Sequence, residues 1–252
     1  MKSISANLNI IIKAAEKTSK ALIRDFGEIE KLQVSVKGPS DFVSNADTKA
    51  EKTIIEELKK ARPNYSIISE EDGSETNKDT QNVWIIDPID GTTNFLHGIP
   101  HFAISIALKS KNEIVCGVIY DPIKDEMFYA DKNNGAYFNN YRIKVSKRKN
   151  FNGCIFAMGG NDEEALKDKA ITNRSIRKSG SAALDMAYVA AGRYDGYFQK
   201  NLKLWDIAAG IIIVKEAGGQ INEIDINKNE NINIIASSSS ISEKLSKNLI
   251  DF

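Results

Sequence analysis

Cysteine, histidine and tryptophan are scarce in this 252-residue chain, at two residues each, and proline is little commoner at five. Cys116 and Cys154 sit among apolar residues with no Cys or His partner close by, which excludes a disulfide framework and a zinc site and predicts two buried thiols. His97 and His101 are four apart, but Gly98 and Pro100 intervene, so they share no helical face and form no zinc pair. The prolines stand singly as turn markers, and no Pro/Ser-rich stretch, repeat or block of like charge marks a linker. Net charge is absent as well: 34 basic residues balance 34 acidic ones, which removes the electrostatic case for binding nucleic acid or an anionic membrane. No segment approaches the roughly 20 apolar residues that span a bilayer, and the N-terminus lacks a signal-peptide pattern. The expectation is a soluble, cytoplasmic protein. Gly159-Gly160 lacks both the Lys-Ser/Thr of a P-loop and a full dinucleotide fingerprint.

The length is near the upper limit for one core, about 250–300 residues, so the expectation is one unit spanning residues 1–252. Leu8, Ile11, Ile12, Ala15, Ser19, Leu22, Ile23 and Phe26 recur at helical spacing, with Gly27 as the expected stop. After the turn signal at Lys37-Gly-Pro39, Ser44 or Asn45 is placed to cap a second helix reaching about Arg62, ahead of Pro63. Tyr65–Ser69 and Val83–Asp87 read as strands that both run into acid at their C-terminal ends, where open α/β sheets place ligands. From Phe102 to Phe138, β-like runs are broken at Lys111-Asn112, Asp121-Pro122 and Asn133-Asn-Gly135, which predicts antiparallel hairpins. The second half predicts a strand near Cys154–Met158, a helix over Ser181–Ala191, a strand near Tyr194–Phe198, a helix over Trp205–Ala217, then a closing strand and helix. Interleaved helices and strands indicate an α/β or α+β architecture built in layers.

The segment Trp84–Thr93 (WIIDPIDGTT) carries the densest chemistry. Asp87 and Asp90 are three apart, and Pro88 between them blocks a continuing sheet ladder while fixing a turn that brings both carboxylates to one side. Hard divalent cations require such oxygen clusters. Gly91-Thr92-Thr93 adds backbone N–H groups and hydroxyls suited to a phosphate oxygen or a water nucleophile. Asp-Pro and Asp-Gly taken singly are ordinary turn chemistry; an apolar strand, two aspartates, a glycine and two threonines within ten residues are a stronger signal. Glu70 and Glu71 follow the preceding strand, either facing the same pocket or solvating a loop. Asp47 in a first helical turn complements a helix dipole, and Asp206 at the start of an apolar helix is either a cap or a ligand. Ala208, Ala209 and Gly210 read as close-packing residues. Ser179-Gly-Ser-Ala-Ala183 is either helix-start geometry or a set of backbone donors.

Taken together, Glu70-Glu71, the Trp84–Phe95 segment, Trp205-DIAAG-Gly210 followed by Glu216-Ala-Gly-Gly219, and the intervening Lys37–Asp47 and Ser179–Phe198 stretches closely resemble the inositol monophosphatase family over nearly the whole chain. The resemblance implies a layered αβαβα sandwich, usually a homodimer. It places most metal ligands before about residue 145 and substrate-side residues after about 146. It implies two or three Mg²⁺ ions held by Glu70, Asp87, the Ile89 carbonyl, Asp90 and Asp206, with Asp47 near the outermost. Glu70 and Thr92 would orient the attacking water. Gly91 and Thr92 would meet the phosphate, and Asp90, Gly180, Ser181, Ala182, Gln199 and Asp206 would meet the organic part.

The activity implied is Mg²⁺-dependent, Li⁺-sensitive hydrolysis of a small phosphate monoester, an inositol phosphate or related sugar or polyol phosphate. A 3′-phosphoadenosine nucleotide, histidinol phosphate and fructose 1,6-bisphosphate are the alternative substrates, and a catalytically silent metal-dependent binding or regulatory protein is the alternative class. Many family members carry Glu where this chain has Gln199, which keeps an acceptor, adds donors and removes a charge.

Overall fold

The computed structural model describes residues 4–32, 40–160 and 175–249. Helix α1 (Ala6–Leu32) passes through Gly27 rather than stopping there. A mid-helix glycine costs about 1 kcal/mol, whereas docking Ile29, which is fully buried, returns about 1.5–3 kcal/mol, so continuation wins. Helix α2 (Ser40–Ala61) starts ahead of the expected caps, which leaves Ser44 and Asn45 inside it and Asp47 well beyond its first turn. The Lys37–Pro39 turn signal lies outside the described residues.

Eight strands form the first sheet: β1 (Tyr65–Ser69), β2 (Gly73–Glu75), β3 (Asp79–Asp90), β4 (Ala103–Ser110), β5 (Glu113–Asp121), β6 (Glu126–Asp131), β7 (Gly135–Phe138) and β8 (Tyr141–Ile143), in the order β2-β1-β3-β4-β5-β6-β7-β8. Within this sheet, among the described residues, only β1 and β3 pair in parallel. Lys111 and Asn112 both take left-handed backbone angles (φ 50° and 61°), the two-residue turn that matches strand twist. Pro88 does not end its strand as the sequence suggests. Asp87 pairs with Ser105 and Asp90 with Ala103, so β3 carries one extra residue there. This bulge accommodates a residue without an N–H and lets the ladder resume.

The second sheet, ordered β10-β9-β11-β13-β12, comprises β9 (Ile155–Met158), β10 (Ser175–Arg177), β11 (Gly196–Leu202), β12 (Gly219–Ile221) and β13 (Ile232–Ser238). Strands β10, β9 and β11 run parallel. Between β3 and β4 lies the short α3 (Thr92–Leu96); α4 (Ala182–Ala190), α5 (Leu204–Glu216) and α6 (Ser242–Lys247) follow later.

Strand alternation assigns the layers. Trp84, Ile86, Ile104, Ile106 and Val118 face a core shared with Leu8, Ile11, Ile54 and Leu58 of α1 and α2. Ile85, Ala107 and Ile119 face the other way, into a core shared with α4, α5 and the inner face of the second sheet. The outer face of that sheet, through Phe156, Met158 and Phe198, is covered by Ile241 and Leu245. The result is the expected α-β-α-β-α stack. Cys116 and Cys154 are buried and form no disulfide, and among the described residues no helix is long and apolar enough to cross a membrane.

Candidate active site

Parallel pairing of β1 and β3 puts their C-terminal ends side by side, and the acids follow there. Glu70 leaves β1. Asp87 and Asp90 flank the Pro88 bulge, where the Asp87 carboxylate accepts the Ile89 N–H at 3.0 Å, an Asx turn that orients it. Gly91, with φ 98°, then reverses the chain. A Cβ there would stand 3.2 Å from the His101 carbonyl and 3.3 Å from that of Gly180, so conformation and space both require glycine. The Asn94 amide donates to His101 O (2.7 Å) and Ser179 O (2.8 Å), tying the three loops together.

Asp90 is sequestered at the start of α4. It accepts the Ser181 hydroxyl and the Ala183 N–H, the latter at 2.9 Å. Ser181 also caps α4 through Leu184 N at 3.2 Å. Asp206, in the first turn of α5, accepts the Lys203 N–H at 2.8 Å. It is therefore a cap, and it is also a member of the cluster. Thr92 donates its hydroxyl to the Ile89 carbonyl at 2.9 Å. Asp47 is buried, and its Oδ1 has no hydrogen-bond partner. One helical turn on, the buried Glu51 accepts the N–H groups of Glu71 (3.1 Å) and Asp72 (2.8 Å).

Electrostatically these carboxyls are out of balance. Burial, reinforced by Glu71, Glu70 and Glu51, pushes Asp47 up to about 8. Desolvation raises Glu70 to about 7 although it keeps solvent access at the rim. Burial drives Asp87 well above the carboxylate range, with Asp90, Glu70 and Asp206 adding repulsion. Asp90 is raised to about 7 by desolvation despite the Ser181 contact that opposes the shift. Asp206 is raised to about 6, again chiefly by desolvation. Lys203 bears on Asp206 and is itself paired with Glu230 at 3.0 Å.

Beside this wall opens a cleft of about 360 Å³ whose lining includes Asp90, Asp206, Gly180, Ser181, Ala182 and Gln199, together with Gly159, Lys178 and Asp185. Glu70, Asp87, Ile89, Gly91 and Thr92 lie outside its lining. Asp185 is buried, accepts the Ser179 hydroxyl at 2.7 Å and is pushed up by burial to about 8.

Of the expected site residues, the structure therefore brings Glu70, Asp87, Asp90 and Asp206 into mutual electrostatic contact, with Asp47 against Glu70. Glu51 and Asp185 are neighbours of the site that the sequence reading passed over; only the i, i+4 spacing of Asp47 and Glu51 on one helix face could have drawn attention to either of them. Among the described residues no three acidic, histidine or cysteine side chains converge closely enough to grip one metal ion unaided. Their oxygens are instead turned to protein donors, and Glu70 and Asp87 to each other. The donor set nonetheless fits a hard cation, being all oxygen, mutually repelling and left with an orphaned buried carboxylate atom on Asp47.

Fold and site together define a layered α/β protein with an acid-walled pocket at the ends of parallel strands. The chain belongs to the inositol monophosphatase family, whose description it matches over residues 5–250. It is 47% identical over 230 residues to the inositol-1-monophosphatase of Mesorhizobium japonicum, covering 88% of this chain and 86% of that protein. It is 38% identical to the Nus factor SuhB of Escherichia coli, covering 97% and 96%. The crystal structure of the extragenic suppressor protein suhB of Bartonella henselae superposes with a TM-score of 0.88 at 46% identity, covering 98% of this chain and 99% of that one.

Proposed function

We propose that this protein hydrolyses a small phosphate monoester, an inositol phosphate or related polyol phosphate, with Mg²⁺ held by Glu70, Asp87, the Ile89 carbonyl, Asp90 and Asp206 and with Asp47 beside Glu70. The observation that carries this reading is the set of four carboxyls, Glu70, Asp87, Asp90 and Asp206, all held above their ordinary range by burial. A native protein retains such costly groups where a cation completes them. When bound, two or three such ions supply positive charge against the phosphate oxygens and make water more acidic.

The chain's own contributions follow from the geometry. Asp87 serves as a ligand in its ionised form, with Glu70 beside it. Glu70 and the Thr92 hydroxyl, fixed on the Ile89 carbonyl, position the attacking water. Gly91 and Thr92 meet the phosphate. Asp90, Gly180, Ser181, Ala182, Gln199 and Asp206 border the alcohol. Residues 1–252 work as one unit, with most of the proposed metal ligands before about residue 145 and substrate-side residues, together with Asp206, after about 146.

The test is phosphate release from myo-inositol 1-phosphate, fructose 1,6-bisphosphate, histidinol phosphate and adenosine 3′,5′-bisphosphate across a Mg²⁺ titration. The expected result is turnover that requires Mg²⁺, falls with Li⁺, and drops at least about 100-fold in Asp87→Asn. Preference for the nucleotide would overturn the substrate class. Absence of turnover on every substrate by folded, Mg²⁺-loaded protein would favour a binding role, a reading supported by relatives named Nus factor SuhB.

A further inference from the structure

Three stretches of backbone approach one another closely beside the acid cluster: the turn at Gly91 that opens α3, residues 99–102 that lead into β4, and residues 179–181 that open α4. The junction leaves little room for added atoms. Gly91 lies against the carbonyls of His101 and Gly180, and a Cβ on Gly180, itself at φ 83°, would stand 3.0 Å from the Asn94 amide nitrogen.

Asn94 fills this junction. It is buried, and its amide donates to two of the three stretches, to His101 O at 2.7 Å and to Ser179 O at 2.8 Å. Its own carbonyl accepts the Ile99 N–H at 2.9 Å, so one residue of α3 holds the connection to β4 by main chain and side chain together. A carboxylate of the same shape would face the two carbonyls with lone pairs in place of donors. Ser179 is gripped a second time, because its hydroxyl donates to the buried Asp185 at 2.7 Å. Two residues further on, Ser181 donates its hydroxyl to Asp90, and the Ala183 N–H reaches the same carboxylate oxygen.

The stretches so joined carry the two sides of the proposed reaction, with the phosphate at Gly91-Thr92 and the alcohol at Gly180–Ala182. A shift of about 1 Å between reacting groups costs on the order of 100-fold in rate. We propose that Asn94 is a positioning residue for this reaction: it holds the alcohol-side loop, at Ser179, in register with the phosphate-side turn, and Asp185 braces the same serine. This rests on the phosphatase reading above, which assigns a role to neither residue.

The test measures kcat and KM for myo-inositol 1-phosphate at saturating Mg²⁺, with the folded fraction of each variant taken from urea titration. Asn94→Ala lowers kcat per folded molecule by about tenfold or more while KM moves by less than about threefold. Asn94→Asp, which keeps the shape and removes the donors, loses at least as much. Asp185→Ala lowers kcat in the same way, whereas Asp185→Asn, which retains an acceptor for Ser179, stays within about threefold of the unmutated protein. Because both residues hold one serine, the loss in the Asn94→Ala/Asp185→Ala double variant is smaller than the product of the single losses by about threefold or more. Losses accounted for by unfolded protein, carried by KM alone, or multiplying in the double variant overturn the proposal while the unmutated protein still turns over. If the Asn94 variants do not fold, the Asp185 pair decides, and equal kcat in Asp185→Ala and Asp185→Asn overturns it. No turnover by the unmutated protein on any substrate of the panel overturns the phosphatase reading and this proposal with it.

Discussion

Ser181 uses one hydroxyl oxygen for two tasks: it accepts the Leu184 N–H to cap α4 and donates to the buried carboxylate of Asp90. Ser181→Ala removes both. Loss of the cap costs about 0.5–2 kcal/mol, read as a lower urea midpoint. Loss of the donor removes a contact that opposes the upward shift of Asp90, so Asp90 ionises at higher pH and the acid limb of the pH–kcat/KM profile moves to higher pH. An unmoved limb would remove Asp90 from the ionisations that govern turnover.

Metal and pH act on stability through the same carboxyls. Asp47 and Asp185 are raised to about 8, Asp90 and Glu70 to about 7 and Asp206 to about 6 by burial. An acid whose folded pKa exceeds its unfolded one binds more protons in the folded state. Its contribution is therefore full below the unfolded pKa of about 4 and lost as pH rises through the folded value. Chelator-treated protein is expected to melt at a lower temperature at pH 8 than at pH 5.5. Because the ligands must be deprotonated, Mg²⁺ raises the melting temperature more at pH 8. A Mg²⁺ effect that is equal at both pH values would sever the link between these carboxyls and the metal.

Glu51 joins α2 to the turn that carries Glu70, through N–H groups at 3.1 and 2.8 Å. Bonds to a charged acceptor contribute about 1.5–3 kcal/mol when desolvated, and the exposed turn recovers part of that from water. Glu51→Ala is expected to lower stability by about 1–3 kcal/mol. It also raises the Mg²⁺ concentration for half-maximal activity, because Glu70 loses its anchor. A stability loss with no change in that midpoint would make Glu51 a purely structural residue.

The residues that announced the site were those whose chemistry is local. The Lys111-Asn112 turn, the Ser181 cap and the acids closing β1 and β3 were all readable from short stretches, because a turn or a strand end is decided within a few residues. Glu51 was not, since nothing in its own helix says that its partners are backbone N–H groups on another element. For Asp206 the sequence offered a cap or a ligand as alternatives, and only the approach of α5 to β3 shows one carboxyl both holding the helix start and joining the cluster. Pro88 misled in the other direction. Its missing N–H does interrupt the ladder, but the bulge absorbs the defect and lets Asp90 pair again.

Gly27 and Gly117 separate local preference from packing. Gly27 lies inside α1, and a Cβ built on it meets nothing within 4 Å. Gly27→Ala is therefore expected to stabilise the protein by about 0.5–1 kcal/mol, through helix propensity and a less flexible unfolded chain. At Gly117, on the face of β5 that meets α5, a Cβ would stand 2.8 Å from Ala209 Cα and 2.9 Å from Ile212 Cγ2. The strand preference for Ala over Gly, about 0.5–1 kcal/mol, opposes an overpacking cost of about 1–3 kcal/mol. A backbone Cα cannot rotate away, so the cost is larger, and Gly117→Ala lowers the urea midpoint with an unchanged m-value. Equal effects at the two sites would mean that α5 is free to move off the sheet. That would also loosen Asp206, which α5 carries into the cluster.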